Sequence, residues 1–320
     1  MEYRQLGKSG IRVSAVAFGA WAIGGPGQWG WGSVDDNQSV AAIRRALELG
    51  VNFIDTADAY GRGHSEEIIA KAIGNQRKDV VIATKAGIVV DDQGNEVGVS
   101  GRRDYILHAC EASLRRLQTD TIDLYQVHSP DEKTPLEETM GALSDLLQQG
   151  KVRTVGVSNY PLAMLEESAR LIELTSLQPP YSLFNRGIEA DLLPWCKQHS
   201  LTVLAYAPMA HGLLSGKYTA GMKFAEGDWR ARDEHFQGEK FERNLRVVER
   251  LRRIAAESGR TVAQLAIAWV LSQSDNLIAL AGARRAEQIE ETAKAADWIL
   301  SRQDIQRIEE ATADAVPVLV

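Results

Sequence analysis

Short apolar runs alternate with segments of helical periodicity from one end of the 320-residue chain to the other. Such alternation is typical of parallel strands that are joined by crossover helices. Eight strand-helix units favour the α/β fold class and, within it, a closed (β/α)8 TIM barrel over an open, doubly wound sheet. The eight predicted strands are Val13–Phe18, Asn52–Asp55, Val80–Thr84, Ile122–Val127, Arg153–Ser158, Ser176–Gln178, Thr202–Tyr206 and Leu277–Ala281.

Residues that commonly begin helices or form turns mark the boundaries of several elements. Ser65 and Thr261 are predicted to cap helix N-termini, and Thr134 followed by a proline predicts the start of another helix. Near the N-terminus, Gly7 and Gly10 predict the turn of a hairpin that covers the floor of the barrel. Extra helices are expected near the C-terminus.

The loop after the first predicted strand does not favour a Rossmann domain. That fold requires G-x-G-x-x-G directly after the strand, at the start of a helix. The sequence here is GAWAIGGPGQWGWGSVDDN, in which Trp21, Trp29 and Trp31 interrupt the glycines and no helical pattern begins at once. Because no internal repeat and no Ser-, Pro- or Gly-rich linker divides the chain, residues 1–320 are expected to form one barrel domain.

Composition and charge argue against several classes of protein. The formal net charge is −7 and basic residues lie among acidic ones, so a nucleic-acid partner is not expected. The N-terminus lacks a basic segment followed by an apolar one, and no apolar run approaches the ~20 residues of a membrane helix, which predicts a cytoplasmic protein. The isolated Cys110 and Cys196 are expected in the core, and the six dispersed histidines predict no metal site.

Four side chains with acid-base chemistry lie at or just beyond consecutive predicted strands. Asp55 ends the second strand, Lys85 and His128 directly follow the third and fourth, and Tyr60 lies in the loop after Asp55. In a barrel these strand ends converge on one pocket, where a lysine drawn into the mouth needs an anion. Each residue alone has a structural explanation, as a turn cap, a solvated charge or a packed ring. Together they predict one network.

Proton donation to a carbonyl oxygen is the chemistry that suits this network. A phenol keeps its proton at neutral pH, and the Lys85 ammonium would stabilise the phenolate that Tyr60 leaves after donation. Asp55 would keep Lys85 charged, and His128 could orient the substrate oxygen or share the proton. Since these residues supply no reducing electrons, an organic cofactor is implied.

The motifs of the chain resemble those of the aldo-keto reductases, with the bacterial type as the nearest subgroup. The segments that carry the resemblance are NFIDTADAYGRGHSEEIIAKAIG, a lysine after an apolar strand, IDLYQVH, KVRTVGVSNY, LAYAPMAHGLLSGK and AGARRAEQIEE. The resemblance implies a barrel that binds NADP(H) without a Rossmann domain and reduces carbonyls or oxidises alcohols. It implies a catalytic set of Asp55, Tyr60, Lys85 and His128, with Tyr60 as general acid and a hydride from nicotinamide C4.

The resemblance also implies a set of cofactor contacts. Ser158, Asn159 and Gln178 match residues that hydrogen-bond the nicotinamide carboxamide, Tyr206 matches the aromatic residue that stacks on the ring, and Arg284 lies in the turn that receives the 2′-phosphate. The full set is Ala20, Trp21, Asp55, Ser158, Asn159, Gln178, Tyr206, Ala207, Pro208, Met209, Gly212, Leu213, Leu214, Gly216, Lys217, Arg230, Gly282, Ala283, Arg284, Gln288, Glu291 and Thr292.

NADP(H) is the preferred cofactor, with NAD(H) as the alternative, because a guanidinium and a helix N-terminus together suit a dianionic phosphate. The family pattern often ends in Glu-Asn, whereas this chain has Glu291 and Thr292, a departure that affects the adenine contacts. Arg230, in a long loop, is expected either to contact the cofactor or to be an exposed charge.

The substrate wall is expected to be aromatic. Trp21, Trp29 and Trp31 follow the first strand, and an aromatic pocket with few charges favours small or aromatic aldehydes and ketones. The sequence does not specify the natural substrate, the physiological direction or the oligomeric state.

Two other functions are compatible with the fold. In the first, Lys85 is a Schiff-base nucleophile of a barrel lyase, although a neighbouring Asp55 would raise the lysine pKa when a nucleophile needs it lowered. In the second, the chain is a redox-sensing regulatory subunit that binds NADPH with negligible turnover.

Overall fold

A closed barrel of parallel strands forms the centre of the computed structural model, which describes residues 1–318. In chain order the strands are β1 (Tyr3–Gln5), β2 (Arg12–Ser14), β3 (Val16–Gly19), β4 (Phe53–Asp55), β5 (Val81–Ala86), β6 (Ile88–Val90), β7 (Glu96–Val99), β8 (Ile122–Val127), β9 (Val152–Ser158), β10 (Ser176–Gln178), β11 (Thr202–Ala205) and β12 (Leu277–Gly282). Strands β3, β4, β5 and β8 to β12 form the barrel, which closes where β12 pairs with β3. The (β/α)8 prediction is confirmed.

Helices connect the barrel strands on the outside. They are α1 (Asp36–Glu48), α2 (His64–Ile73), α3 (Arg103–Leu117), α4 (Leu136–Gln148), α5 (Leu162–Leu171), α6 (Leu192–His199), α7 (Gly238–Glu257), α8 (Val262–Gln273), α9 (Ala286–Ala293) and α10 (Arg302–Thr312). The connection from β11 to β12 contains α7 as well as α8, and α10 follows the last strand-helix unit. These two are the extra helices expected towards the C-terminus.

The prediction of a single strand over Val13–Phe18 is wrong. Its start belongs to β2, which pairs antiparallel with β1, whereas the barrel strand β3 begins only at Val16. The apolar run is continuous because Ala15 and Val16 are both fully buried, so hydrophobicity does not mark the break. The other seven predicted strands agree with the barrel strands to within two residues at each end. The β6–β7 hairpin was not predicted.

Ser65 does not cap α2, so that prediction is also wrong. The helix begins at His64, directly after Gly63, whose φ of +93° is readily adopted only by glycine. The Ser65 hydroxyl is buried instead, where it lies 2.8 Å from Thr56 Oγ1 and donates to the carbonyl of Ala20 at 3.1 Å. It therefore ties α2 to the loops that follow β3 and β4.

The other two predicted helix starts have different outcomes. Thr261 caps α8 in a capping box with Gln264, as predicted. Thr134 instead donates its hydroxyl to Asp131 at 2.6 Å, and α4 begins after Pro135 without a side-chain cap.

The N-terminal hairpin closes the floor of the barrel, as expected. Its Leu6, Ile11 and Val13 join a separate apolar cluster inside the barrel that includes Phe53 and Leu204. The turn is fixed to the strand starts, because the backbone N–H of Gly7 donates to Thr202 Oγ1 at 2.7 Å. Only the carboxyl ends of the strands are therefore left open for a site.

Candidate active site

A cleft of about 1170 Å³ opens at the carboxyl ends of the barrel strands. It extends from Tyr60 and His128 to Arg284 and Glu291, and its walls come from the long loops after β3, β5 and β11. A cleft of this size takes an extended ligand of several linked groups rather than a single small molecule.

The structure brings Asp55, Tyr60, Lys85 and His128 together at one end of this cleft, and we call these four residues the catalytic cluster. Lys85 is fully buried, and its ammonium donates to Asp55 Oδ2 at 2.7 Å and to the Thr56 carbonyl at 2.7 Å. Its third contact is with Tyr60 Oη at 3.3 Å. The three N–H donors of the lysine are thus all used, as a buried ammonium requires.

Asp55 is held from two sides. Its Oδ2 accepts from Lys85, and its Oδ1 accepts from Gln178 Nε2 at 2.9 Å. Gln178 ends β10, so this bond crosses the mouth of the barrel and joins two parts of the chain that are distant in sequence. A buried carboxylate with both oxygens satisfied can keep its charge and orient the lysine.

Burial and neighbouring charge act on the pKa values of the cluster. Burial, together with Asp55 and Asp58, raises the pKa of Tyr60 well above its ordinary value, so the phenol keeps its proton. Burial lowers the pKa of Lys85, and the contact with Asp55 opposes this lowering. Burial and the Lys85 charge hold the pKa of His128 well below its ordinary range, so this imidazole is neutral at pH 7.

His128 stands beside the phenol rather than in direct hydrogen bond to it. Its ring centroid lies 5.7 Å from that of Tyr60, edge-on, and both residues line the cleft. The His128 Nδ1 atom is buried and has no hydrogen-bond partner within residues 1–318. A neutral imidazole in this place can orient an oxygen that lies between the two rings.

Two glycines hold the Tyr60 backbone against the loop that follows β3. Gly61 has a φ of +60°, and a Cβ at this position would lie 1.9 Å from the Gly24 carbonyl oxygen. A Cβ on Gly24 would in turn meet the backbone of Tyr60 at 2.9 Å. Close packing of the two loops therefore sets the position of the phenol.

We expect Gly61→Ala to lower kcat by about tenfold or more, because displacement of a reacting group by about 1 Å is that costly. Gly259→Ala is the matched control, since its φ is +63° but a Cβ there would contact nothing within 4 Å. Gly259→Ala should lose about 1–2 kcal/mol of unfolding free energy from left-handed backbone strain, and Gly61→Ala should lose more because its Cβ also meets the Gly24 carbonyl. Equal kcat values for the two variants would contradict this account.

The predicted nicotinamide side of the cleft forms a connected chain of polar groups. Tyr206 Oη donates to Asn159 Oδ1 at 3.0 Å, and Asn159 Nδ2 donates to the His128 carbonyl at 3.0 Å and to Ser158 Oγ at 3.2 Å. Ser158 Oγ donates to the carbonyl of Gln178 at 2.8 Å. These predicted residues therefore converge beside the catalytic cluster.

The opposite end of the cleft is positively charged. Arg284 follows β12, and its Nη1 donates to the Trp31 carbonyl at 3.0 Å. Burial and the nearby Arg230 lower its pKa from the ordinary value. Lys217 reaches across to Glu291, with Nζ and Oε2 2.9 Å apart. Arg284 lies two residues before α9, and a guanidinium near a helix N-terminus suits an anionic ligand, whereas the Lys217 charge is paired with Glu291 further along that helix.

Most of the predicted cofactor residues line the cleft, but four do not. Leu213 and Leu214 are fully buried and pack in the core outside the barrel, while Ala20 and Gly216 lie off the cleft surface. The predicted residues on the cleft surface are Trp21, Asp55, Ser158, Asn159, Gln178, Tyr206, Ala207, Pro208, Met209, Gly212, Lys217, Arg230, Gly282, Ala283, Arg284, Gln288, Glu291 and Thr292.

Aromatic side chains form one wall of the cleft. The Trp21 ring is edge-on to Trp31 at 5.3 Å and stacked on Trp229 at 6.0 Å. Trp29 lies at the rim, 43% exposed, and its Nε1 donates to Glu96 Oε2 at 3.2 Å. All three predicted tryptophans therefore border the cleft, and the buried Trp229 packs behind them.

The alternative of an exposed Arg230 is wrong. Arg230 is buried, its Nε donates to Asp228 Oδ1 at 2.9 Å, and its guanidinium lies 4.2 Å from the Trp31 ring centroid. An isolated bridge between Trp31 and Asp228 joins the two loops at this point.

His211 lines the cleft but was not predicted. It is 6% exposed, adopts a φ of +53°, and its carbonyl accepts from Arg230 Nη1 at 3.2 Å. Burial lowers the pKa of His211 to about 4, so its ring is neutral. A histidine within AHGLLSG carries no local signal for this position, which depends on the contact with Arg230 and the tryptophans.

Two kinds of feature, a metal-binding group and a membrane-spanning helix, are absent from residues 1–318. No group of three or more His, Cys, Asp and Glu side chains in these residues is arranged to hold a metal ion. None of the helices described is both long enough and apolar enough to cross a membrane.

Comparisons with known proteins identify curated relatives over most of the chain. An aldo-keto reductase from Bacillus subtilis, YhdN, is 40% identical over 307 residues, which cover 95% of this chain and 91% of that protein. The NADP(+) aldo-keto reductase yakc of Schizosaccharomyces pombe is 34% identical and covers 95% and 89%. The NADH-specific methylglyoxal reductase of Escherichia coli is 35% identical and covers 93% and 94%.

The family assignment follows from these relatives and from two further matches. The glycerol dehydrogenase structure from Gluconobacter oxydans aligns with a TM-score of 0.90 and 37% identity, over 99% of this chain and 97% of that one. The model of the aldo/keto reductase family matches residues 15–313. The chain therefore belongs to the aldo/keto reductase family.

Proposed function

We propose that this protein is an NADP(H)-dependent reductase that converts aldehydes or ketones to alcohols, or catalyses the reverse reaction. Membership of the family supports an oxidoreductase that acts on carbonyl compounds. The observation that carries the specific proposal is the contact of the buried Lys85 ammonium with both Asp55 and the Tyr60 hydroxyl.

Each member of the catalytic cluster has one proposed role. Tyr60 holds a proton at neutral pH and gives it to the carbonyl oxygen, and Lys85 stabilises the phenolate that remains. Asp55 keeps the lysine charged and oriented, and the neutral His128 positions the substrate oxygen. NADPH, when bound, supplies the hydride.

The charge at the far end of the cleft supports NADP(H). Arg284 borders the cleft just before α9, where a dianionic 2′-phosphate would be held by its guanidinium and by the helix N-terminus. The relatives include both an NADP(+) enzyme and an NADH-specific one, so NAD(H) is the alternative.

The tryptophan wall supports a substrate of small size or aromatic character. Trp21 and Trp31 pack edge-on and offer large apolar area to the cleft. A neutral aldehyde or ketone loses little solvation when it enters such a pocket, whereas an anionic sugar loses much more.

A fluorescence titration with NADPH, followed by turnover assays with a panel of aldehydes and ketones, tests the proposal. Binding with turnover supports a reductase, and tight binding without any turnover would support a regulatory subunit. Trapping of a substrate on Lys85 by borohydride would support a lyase. The geometry disfavours the lyase, because all three N–H donors of Lys85 are engaged and leave no free amine.

We expect Arg284→Ala to weaken NADPH binding by about 10- to 100-fold and NADH binding by less than about twofold, since only NADPH carries a 2′-phosphate for a charge-assisted bond. Fluorescence titration with each cofactor measures both values. Arg307→Ala is a control, because its guanidinium pairs with Glu257 on the outer surface. Equal losses for the two cofactors would remove the phosphate assignment.

A further inference from the structure

Asp58 lies two residues before Tyr60, in the loop after β4, and does not line the cleft. Its backbone N–H donates to the Lys85 carbonyl at 3.2 Å, which fixes the residue at the end of β5. One oxygen of its carboxyl group, Oδ1, is buried and has no hydrogen-bond partner within residues 1–318. A buried carboxylate oxygen without a donor is costly, so the charged form is disfavoured at this position.

The cations near Asp58 are engaged by other groups. All three N–H donors of Lys85 are used in the contacts described above. Arg116, on α3, donates from Nε to Glu66 Oε2 at 2.6 Å. Glu66 is fully buried and accepts a second bond from Thr84 Oγ1 at 2.6 Å. The Arg116 guanidinium on α3 is thus neutralised by Glu66 and not by Asp58.

Charged groups face Asp58 from α2, α3 and β5. Burial has the largest effect and, with Glu66, raises the pKa of Asp58 to about 8, while Arg116, a hydrogen bond from the Ala59 backbone N–H and Lys85 act in the opposite direction. The carboxyl is therefore neutral at neutral pH and ionises under mildly alkaline conditions. The charge of Asp58 raises the pKa values of three tyrosines, Tyr60, Tyr105 and Tyr125.

We propose that Asp58 is a positioning residue for the proton transfer: its neutral carboxyl permits Tyr60 to release a proton, and its charged form opposes that release. The proposal rests on the general-acid role proposed above for Tyr60. When Tyr60 protonates the carbonyl oxygen, its O–H bond breaks and a negative charge remains on the phenolate beside Lys85. A second negative charge on Asp58 repels this phenolate and makes the phenol a weaker acid.

The pH dependence of carbonyl reduction tests this role. For the wild-type protein we expect kcat to fall by about three- to tenfold as the pH rises from about 7 to about 9, since one added charge in a partly buried site acts on this scale. Asp58→Asn keeps the shape without the charge and should remove this fall. Asp58→Glu should retain it. Asp120→Asn, which removes an exposed aspartate after α3, should behave as wild type.

A measurement that does not depend on activity separates this proposal from the proposed function. Infrared difference spectra of wild-type protein against Asp58→Asn should contain the carbonyl band of a protonated carboxyl at neutral pH, and this band should disappear as the pH rises past about 8. If Asp58→Asn does not fold, Asp58→Ser removes the same group.

Two results would overturn the inference. One is a fall of kcat with pH that is the same in Asp58→Asn and in the wild type. The other is an infrared spectrum in which the Asp58 carboxyl is already ionised at neutral pH. Failure of the proposed function appears differently, as an absence of turnover in the wild-type protein with every carbonyl tested.

Discussion

Replacement of Tyr60 by phenylalanine is expected to lower kcat for carbonyl reduction by about 10²- to 10⁴-fold, the usual contribution of a general acid. The ring remains in place, so its packing against His128 should persist. The Kd for NADPH should change by less than about twofold, because the lost hydroxyl would serve the substrate and not the cofactor. Steady-state assays and a fluorescence titration on the same preparation measure both quantities.

Tyr181→Phe provides the matched control for this variant. Its hydroxyl is also lost from a buried ring, but it donates to Glu189 at 2.8 Å and does not border the cleft. This control should lose about 1 kcal/mol of unfolding free energy and keep its kcat. A loss of NADPH affinity in Tyr60→Phe as large as its loss of turnover would remove the acid role.

The second large effect is expected for Lys85→Met, in both stability and turnover. The variant leaves Asp55 charged and buried without a cation, which should cost about 3–5 kcal/mol of unfolding free energy. Turnover should fall by at least about 10²-fold, because nothing then stabilises the phenolate. Urea denaturation and steady-state assays test the two effects separately.

The double variant Asp55→Asn, Lys85→Met distinguishes the two effects of the lysine. Removing both charges should recover most of the lost stability, since Gln178 still donates to the asparagine oxygen. Turnover should not recover. A double variant that regains activity would show that the ammonium of Lys85 is not needed for the chemistry.

The barrel could be predicted because most of its strands are runs of buried residues bounded by helical patterns. The β8 strand, Ile122–Val127, is buried throughout, and its hydrophobicity alone locates it. The β6–β7 hairpin contributes no residue to either core cluster, and its apolar run, Ile88–Val90, is only three residues long, so the pattern of buried barrel strands did not identify it. The prediction that Ser65 caps a helix was wrong because a serine hydroxyl that can cap a helix can equally well hydrogen-bond a buried loop group.

In the site, too, residues at strand ends could be predicted from the sequence, whereas residues placed by contacts between loops could not. Asp55, Lys85 and His128 were accessible to sequence reasoning because the carboxyl ends of parallel strands always share one face. His211 and Trp229 were not, because their places depend on a loop that folds back onto the loop after β3. Such a contact between distant segments has no periodicity and no local residue signature.

The closed floor of the barrel separates the residues that stabilise the fold from the loops at the opposite opening, whose sequence can change. Leu6 and Val13 stabilise the cylinder from below, as part of the apolar cluster at its floor. Exchange of the β6–β7 hairpin, which borders the opposite opening, would then alter which carbonyl compounds are accepted at little cost to the scaffold. Engineering for new substrates is best directed at that rim.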